Sequence, residues 1–237
     1  MQLFFNPDIT ENTQQITFNK DESRHVVRVL RKKENDILHI TNGDGLLFNA
    51  QIIVASDKKC IANIVSFETK KNTRDYYLHI AIAPTKNNDR LEWFLEKATE
   101  IGIDEITPII CDNSERKVIK TERLSRIIQS AMKQSLQYKL PKLNDAVRFA
   151  DFINKDFNNE VFIAHCEDDT AKKYVQNCIS PNSKYTILIG PEGDFSSEEI
   201  KKSLDKKIKP ISLGNNRLRT ETAGLQAVQS INIFHQQ

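Results

Sequence analysis

The chain has 237 residues, 39% hydrophobic and 28% charged, with a formal net charge of +2 and a mean hydropathy of −0.50. This composition fits one large folded domain or two small ones and excludes wholesale disorder. No apolar run approaches the roughly 18 residues of a membrane span, and the start, MQLFFNPD, lacks the basic and apolar stretches of a signal peptide. A cytoplasmic location without a membrane partner is expected. Cys60, Cys111, Cys166 and Cys178 lie far apart with no CxxC pair, so no metal site is predicted.

Charge is unevenly spread. Residues 20–33 hold six basic residues against two acids, residues 114–148 hold nine against three, and residues 149–170 hold six acids against one lysine. Such blocks read as solvated surface or, if the basic ones converge, as a footprint for phosphates.

The first 70 residues read as strands: Gln2–Phe5, Gln15–Phe18, Ile37–Ile40, Leu46–Ala55 and Cys60–Phe67 are short Ile-, Phe- and Val-rich runs between polar clusters. Thr41–Gly45 (TNGDG) is the clearest turn, since Asn and Gly tolerate the positive φ of tight hairpins. Short strands without a long helix predict a small β-barrel. The exception is Glu22–Arg31, where Val26, Val27 and Leu30 recur at helical spacing and Arg24, Arg28 and Arg31 share another face.

Glu68–Asp75 is polar and aperiodic, and reads as a linker. Beyond it strands are predicted at Tyr77–Ala83, Ile106–Ile110, Val161–His165, Tyr185–Ile189 and Ile208–Leu213. Helices are predicted at Asp89–Ile101 (stopped by Gly102), Thr121–Leu136, Ala171–Asn177, Ser197–Leu204 and Glu221–Phe234. Strand alternating with helix argues for a parallel sheet covered on both faces.

Only seven glycines occur, and Gly190, Gly193 and Gly214 fall where strands end, at the edge where open α/β sheets bind ligands. In YTILIGPEGDFSSEEI a buried strand enters Gly190-Pro191-Glu192-Gly193, and Ser196 and Glu199 have the spacing of a capping box. ISLGNNRLRTETAGL repeats the plan of strand, Gly214, polar loop and helix. The two loops are either ordinary βα turns or two walls of one pocket made largely of main chain. Neither fits GxGxxG or GxxxxGK[ST], which disfavours dinucleotide and P-loop chemistry. Cys166 follows His165, but adjacent strand residues face opposite sides, which argues against a catalytic Cys–His pair.

IGPEGDFSSEEI and LGNNRLRTETAGL, with HVVRVLR at His25–Arg31 and KNNDRLEWFLEKATEIGIDEITPI at Lys86–Ile109, closely resemble the RsmE family of 16S rRNA (uracil-N3)-methyltransferases in the SPOUT superfamily. The resemblance spans nearly the whole chain. It implies an α/β SPOUT methyltransferase domain with a C-terminal trefoil knot (73–237), preceded by a small PUA-like RNA-binding β-barrel (1–72). It further implies S-adenosylmethionine as cofactor, a homodimer, and methylation of a uridine in the 16S rRNA of the small ribosomal subunit.

Carried over by position, Ile189, Gly190, Pro191, Glu192 and Gly193 form the first cofactor loop. Leu213, Gly214, Leu218, Arg219 and Thr222 form the second, and Ala164 and His165 form a third strand end. Two positions depart from the family pattern: Asp194 stands where a second glycine is usual, and Gln137 stands where an arginine is usual. Uracil N3 must lose a proton as it is methylated, so a carboxylate to take it or a cation to stabilise the anion is needed. Glu221 and Arg219, in LRTET, are the catalytic candidates. Arg24, His25, Arg28, Arg31, Lys32, Arg116 and Lys117 are the candidate RNA contacts. The alternatives are another SPOUT methyltransferase acting on tRNA or a ribose 2′-hydroxyl, and a non-catalytic RNA-binding assembly factor.

Overall fold

The structure is a computed structural model that describes residues 1–70, 74–167, 172–181 and 183–236. It divides into two compact units, Met1–Asn72 with Met132–Leu140, and Thr73–Ala131 with Pro141–Gln237.

The first unit contains β1 (Leu3–Phe5), β2 (Gln15–Thr17), α1 (Lys20–Arg24), β3 (Ile37–Thr41), β4 (Leu46–Val54) and β5 (Ile61–Thr69). The strands run in the order β1-β3-β4-β5-β2. Only β1 and β3 are parallel, and the other pairs are antiparallel. The sheet is thus a mixed half-barrel, with β1 and β2 at its two edges. Its concave core gathers Phe4, Ile16, Leu38, Ile40, Phe48 and Ile52 around Val26.

The predicted helix at Glu22–Arg31 starts earlier and changes winding. Asn19 caps α1 by accepting the Glu22 N–H, and His25–Val29 then continues as a π-helical turn. The wider turn carries Arg28 on the solvent side while Val26 stays fully buried. Ser23, also buried, donates to the Phe18 carbonyl and accepts the Cys60 N–H at 2.8 Å, which anchors the helix to the sheet.

The turn at Thr41–Gly45 is real, with φ of +83° at Gly43 and +91° at Gly45. It receives the segment 132–140: the Leu140 N–H donates to the Gly43 carbonyl and the Gly45 N–H to the Tyr138 carbonyl. Gln137 lies in this segment, its side chain donating to Ser135 Oγ at 3.2 Å.

The second unit contains β6 (Tyr77–Ile82), α2 (Asn88–Ile101), β7 (Glu105–Ile110), α3 (Thr121–Gln134), whose last turn falls in the first unit, β8 (Lys142–Leu143), β9 (Val147–Arg148) and α4 (Phe149–Ile153). It continues with β10 (Glu160–Ala164), β11 (Lys173–Tyr174), β12 (Lys184–Ile189), α5 (Ser197–Asp205), β13 (Lys209–Ser212) and α6 (Thr220–Phe234). The strand order is β11-β13-β10-β12-β6-β7-β8, with β9 also on β7, and every pairing is parallel.

Burial on both faces explains the near-continuous apolar strands. Ala81 of β6 and Ala83 just beyond it join Ile109, Ile163 and Leu188 under the α4 and α5 side chains Phe149, Phe152 and Ile200. The alternate residue Ile82 faces α2 and α6, where Gly224 meets Phe94.

One predicted element is wrong. Ala171 lies outside the described residues, and the rest of the expected helix at Ala171–Asn177 is β11 followed by one 3-10 turn at Val175–Asn177. Lys173 and Tyr174 are exposed and pair with the edge of β13, and Val175 alone is buried, so there is no amphipathic face to hold a helix.

Candidate active site

At the carboxyl edge of the parallel sheet, β10, β12 and β13 end level: Ala164 pairs with Ile189 on one side and Ile211 on the other. Their loops enclose a cleft of about 670 Å³. Of the residues expected from sequence, Ala164, His165, Leu213, Gly214 and Leu218 line it. Gly214 has φ +141°, where an L side chain is strained, although a Cβ there would meet nothing within 4 Å. Glycine therefore serves backbone conformation at this position, and leaves room beside the strand end.

The loop Gly190–Ser196 is held from every side. Thr220 Oγ1 donates to the Gly190 carbonyl at 3.0 Å, and Asn113 Nδ2 donates to the carbonyls of Gly193 and Asp194. The Lys86 N–H donates to Glu192 Oε1 at 2.9 Å, and Arg116 in turn donates to the Lys86 carbonyl. The expected capping box is present, Ser196 Oγ accepting the Glu199 N–H and Glu199 accepting the Ser196 N–H.

Asp194 takes φ +64°, the left-handed conformation most readily adopted by glycine. Its Oδ2 accepts the Cys166 N–H at 2.7 Å and its Oδ1 the Phe195 N–H at 2.9 Å. Asp194 thus combines a backbone that glycine would adopt with a carboxylate that ties two lining residues together.

The remaining expected residues sit around the cleft rather than in its lining. Ile189, Gly190 and Pro191 are buried beneath the loop, and Glu192 and Gly193 turn toward Lys86 and Asn113. Thr222 is exposed on the first turn of α6. Arg219 occupies the N-cap position of α6, exposed, with no ion pair or side-chain hydrogen bond to any described residue. Glu221 is 7% exposed; its Oε1 lies 3.7 Å from Arg90 Nε, and its buried Oε2 has no hydrogen-bond partner among the described residues.

His165 is buried, and its carbonyl accepts from Lys172 Nζ. Partial burial and the Asp194 carboxylate push the Cys166 thiol up, away from the thiolate a nucleophile needs.

Sequence reasoning missed Asp194, Lys172 and Arg217 as cleft residues. Arg217 lies within the loop LGNNRLR and was legible by adjacency; Lys172 carried no signal, because only the folded chain brings it to the Glu167 and His165 carbonyls.

The candidate RNA contacts fall in both units. In the first, Arg24, His25 and Arg28 lie on α1 and the π turn, with Arg28 paired to Asp57, while Arg31 and Lys32 line a shallow cleft. In the second, Arg116 is committed to the Lys86 carbonyl and Lys117 is exposed. No group of three His, Cys, Asp or Glu side chains suited to a metal occurs among the described residues, and no helix among them is long and apolar enough to cross a membrane.

Residues 72–232 match the family model of an RNA methyltransferase domain, and residues 18–65 match that of an RNA methyltransferase PUA domain. A parallel sheet with a cleft at its carboxyl edge, joined to a mixed half-barrel, is therefore the equipment of an RNA methyltransferase. Ribosomal RNA small subunit methyltransferase E of Rickettsia conorii is 31% identical over 237 residues, covering 98% of this chain and 95% of the relative. The protein of the same name from Bacillus subtilis is 26% identical over 224 residues, 89% of this chain and 87% of the relative.

Among solved structures, a probable rRNA-methyltransferase from Porphyromonas gingivalis superposes with a TM-score of 0.91 at 40% identity, covering 100% of this chain and 99% of that one. A methyltransferase from Legionella pneumophila, solved with bound S-adenosylmethionine, gives 0.84 at 27% identity over 98% of this chain and 96% of that one. The chain belongs to the ribosomal RNA small subunit methyltransferase E family.

Proposed function

We propose that the protein methylates N3 of a uridine in 16S rRNA of the small ribosomal subunit, using S-adenosylmethionine bound in the carboxyl-edge cleft. The observation that carries this reading is the cleft itself: about 670 Å³, lined by the ends of β10 and β13 with Asp194 of the loop after β12, and open beside Gly214. That volume suits a nucleoside-sized ligand, and the largely main-chain walls suit recognition of an adenine edge by backbone groups. Ala164, His165, Leu213, Gly214 and Leu218 would hold the cofactor, with Asp194 lining the cleft from the loop after β12 and Ile189–Gly193 supporting it from behind. When bound, the cofactor supplies an electrophilic methyl group.

The chain's own task is to position the uracil, exclude water and manage the N3 proton. The base must be unpaired to present N3, which lies in the middle of its pairing edge. Arg219 is the cation suited to stabilise the uracil anion, because its guanidinium is exposed at the start of α6 and engaged by no described residue. Glu221 is the candidate proton acceptor through Oε2, which has no hydrogen-bond partner among the described residues, with Arg90 orienting the other oxygen.

The same reading gives residues 1–72 the role of an RNA-binding PUA-like barrel and residues 73–237 that of a SPOUT domain with a C-terminal trefoil knot, acting as a cytoplasmic homodimer. Arg24, His25, Arg28, Arg31, Lys32, Arg116 and Lys117 would contact phosphates. Labelled methyl transfer to unmodified small subunits, with the label traced to its nucleoside, tests the reading.

A further inference from the structure

The cleft at the ends of β10 and β13 is lined by four charged side chains, two of each sign: Glu167, Lys172, Asp194 and Arg217. Such a balance does not single out a polyanion. It suits a ligand that itself bears both signs, and S-adenosylmethionine is one: beside its sulfonium it carries an α-ammonium and an α-carboxylate. The carboxylate is its only anionic group, and a donor-rich cation is the natural partner for it.

Three of the four charges are held in place by the protein. Asp194 accepts the Cys166 and Phe195 N–H groups, and Glu167 Oε1 accepts from Ser197 Oγ at 2.5 Å. Lys172 Nζ donates to the His165 carbonyl at 3.2 Å and to that of Glu167. Arg217 differs. Its side chain leaves the loop after β13, is exposed, and makes one hydrogen bond to a described residue, from Nη2 to the Glu192 carbonyl at 3.5 Å, the outer limit for such a contact. A guanidinium has five N–H donors in a planar fork, so most of its capacity is open to a ligand. Burial and Asp194 raise the pKa of the Cys166 thiol while Arg217 and Lys172 oppose that rise, so both cations and a carboxylate act around one residue of the lining.

We propose that Arg217 is the specificity residue for the cofactor's α-carboxylate, its guanidinium binding that group in the cleft. This rests on the reading of the cleft as the S-adenosylmethionine site. A bidentate, charge-assisted pair with a carboxylate is stronger than the marginal bond to the Glu192 carbonyl that it would replace. Lys172 is the poorer partner, because its ammonium would have to give up the His165 and Glu167 carbonyls. Recognition of the carboxylate lets the protein reject adenosine-containing sulfonium compounds that lack it.

The test is calorimetric titration of wild type, Arg217→Gln and Arg217→Lys with S-adenosylmethionine and with decarboxylated S-adenosylmethionine, which differs only in lacking the α-carboxylate. Wild type is expected to prefer the complete cofactor by about tenfold or more, the usual worth of a hydrogen bond to a charged group. Arg217→Gln should lose that preference, binding S-adenosylmethionine about tenfold more weakly while its affinity for the decarboxylated compound stays within about twofold of wild type. Arg217→Lys, which keeps the charge without the fork, should retain part of the preference. If Arg217→Gln keeps the full preference, or weakens both ligands equally, the proposal is overturned and the cofactor reading of the cleft stands. Unchanged S-adenosylmethionine affinity with slower methyl transfer at saturating cofactor would also overturn it, giving Arg217 to an RNA phosphate instead. If wild type binds neither compound, the cofactor reading fails and the proposal with it.

Discussion

The Oδ2 atom of Asp194 accepts the Cys166 N–H at 2.7 Å, joining the loop after β12 to the chain leaving the neighbouring strand β10 in the lining of the cleft. A glycine at this position would adopt the same backbone with no side chain to span the gap. Two separable contributions follow, tolerance of positive φ and the carboxylate brace.

Asp194→Gly keeps the first and loses the second, whereas Asp194→Ala loses both. Asp194→Gly is expected to weaken S-adenosylmethionine binding a few-fold, since the wall it braces is freed. Asp194→Ala should be less stable than Asp194→Gly by about 1–2 kcal/mol, the cost of an L side chain in the left-handed region. Urea unfolding and calorimetric titration of the three proteins check the order. Equal stability of the Gly and Ala variants would contradict it.

Glu221→Gln retains the size of a side chain that is 7% exposed and removes its capacity to take a proton. With fold and cofactor affinity unchanged, methyl transfer is expected to fall about 100-fold or more, the usual worth of a general base. Turnover within about threefold of wild type would assign Glu221 to holding the start of α6 against Arg90.

Arg219→Ala removes an exposed guanidinium that no described residue engages, so the melting temperature should not change. Single-turnover transfer should slow by about 100-fold, comparable to loss of an oxyanion donor. Near-normal transfer by the folded variant would remove Arg219 from the chemistry.

Gly224 is where α6 presses on α2. A Cβ there would stand 2.7 Å from Phe94 Cε2 and 2.9 Å from Ile82 Cδ1. Gly224→Ala should therefore destabilise the protein by about 1–3 kcal/mol, although alanine is the better helix former. Partial recovery on adding Phe94→Leu would identify the clash as the cause, and a Gly224→Ala protein as stable as wild type would show that the packing yields.

His79 is buried near the opposite edge of the sheet, with Nε2 2.7 Å from Thr107 Oγ1. Burial, opposed by Glu105, lowers its pKa from 6.5 to about 4. Between those values the unfolded chain binds a proton that the folded chain does not, so stability falls as pH drops through this window. Below about pH 4 both states are protonated and this contribution to the slope ends. Unfolding free energy should fall by about 2 kcal/mol from about pH 7.5 to about pH 5 through this residue. His79→Gln, less stable at neutral pH, should show a correspondingly flatter profile; an unchanged profile would contradict the assignment.

The sequence was most legible where burial dictates composition. VFIA and YTILI lie within β10 and β12 because both faces of a parallel sheet are covered, and Ser196 with Glu199 marks the start of α5 through two hydrogen bonds that require those side chains. Elements held only by tertiary pairing were not legible. Lys142–Leu143 and Val147–Arg148 are two-residue strands, too short for any period, and Lys173–Tyr174 joins the sheet as an edge despite its polarity. The segment 132–140 clusters with the first unit through backbone bonds to Gly43 and Gly45 that no side-chain pattern announces. At the site, the glycine loops were readable in order, while Lys172 and the Asp194 brace depend on which strand ends become neighbours.

The central claim is met most directly by incubating the protein with labelled S-adenosylmethionine and small ribosomal subunits that lack the modification, then digesting the rRNA to nucleosides. The expected result is label in 3-methyluridine from 16S rRNA, reduced by Arg219→Ala and Glu221→Gln. Label in another nucleoside, or none from protein that binds the cofactor, would contradict the account.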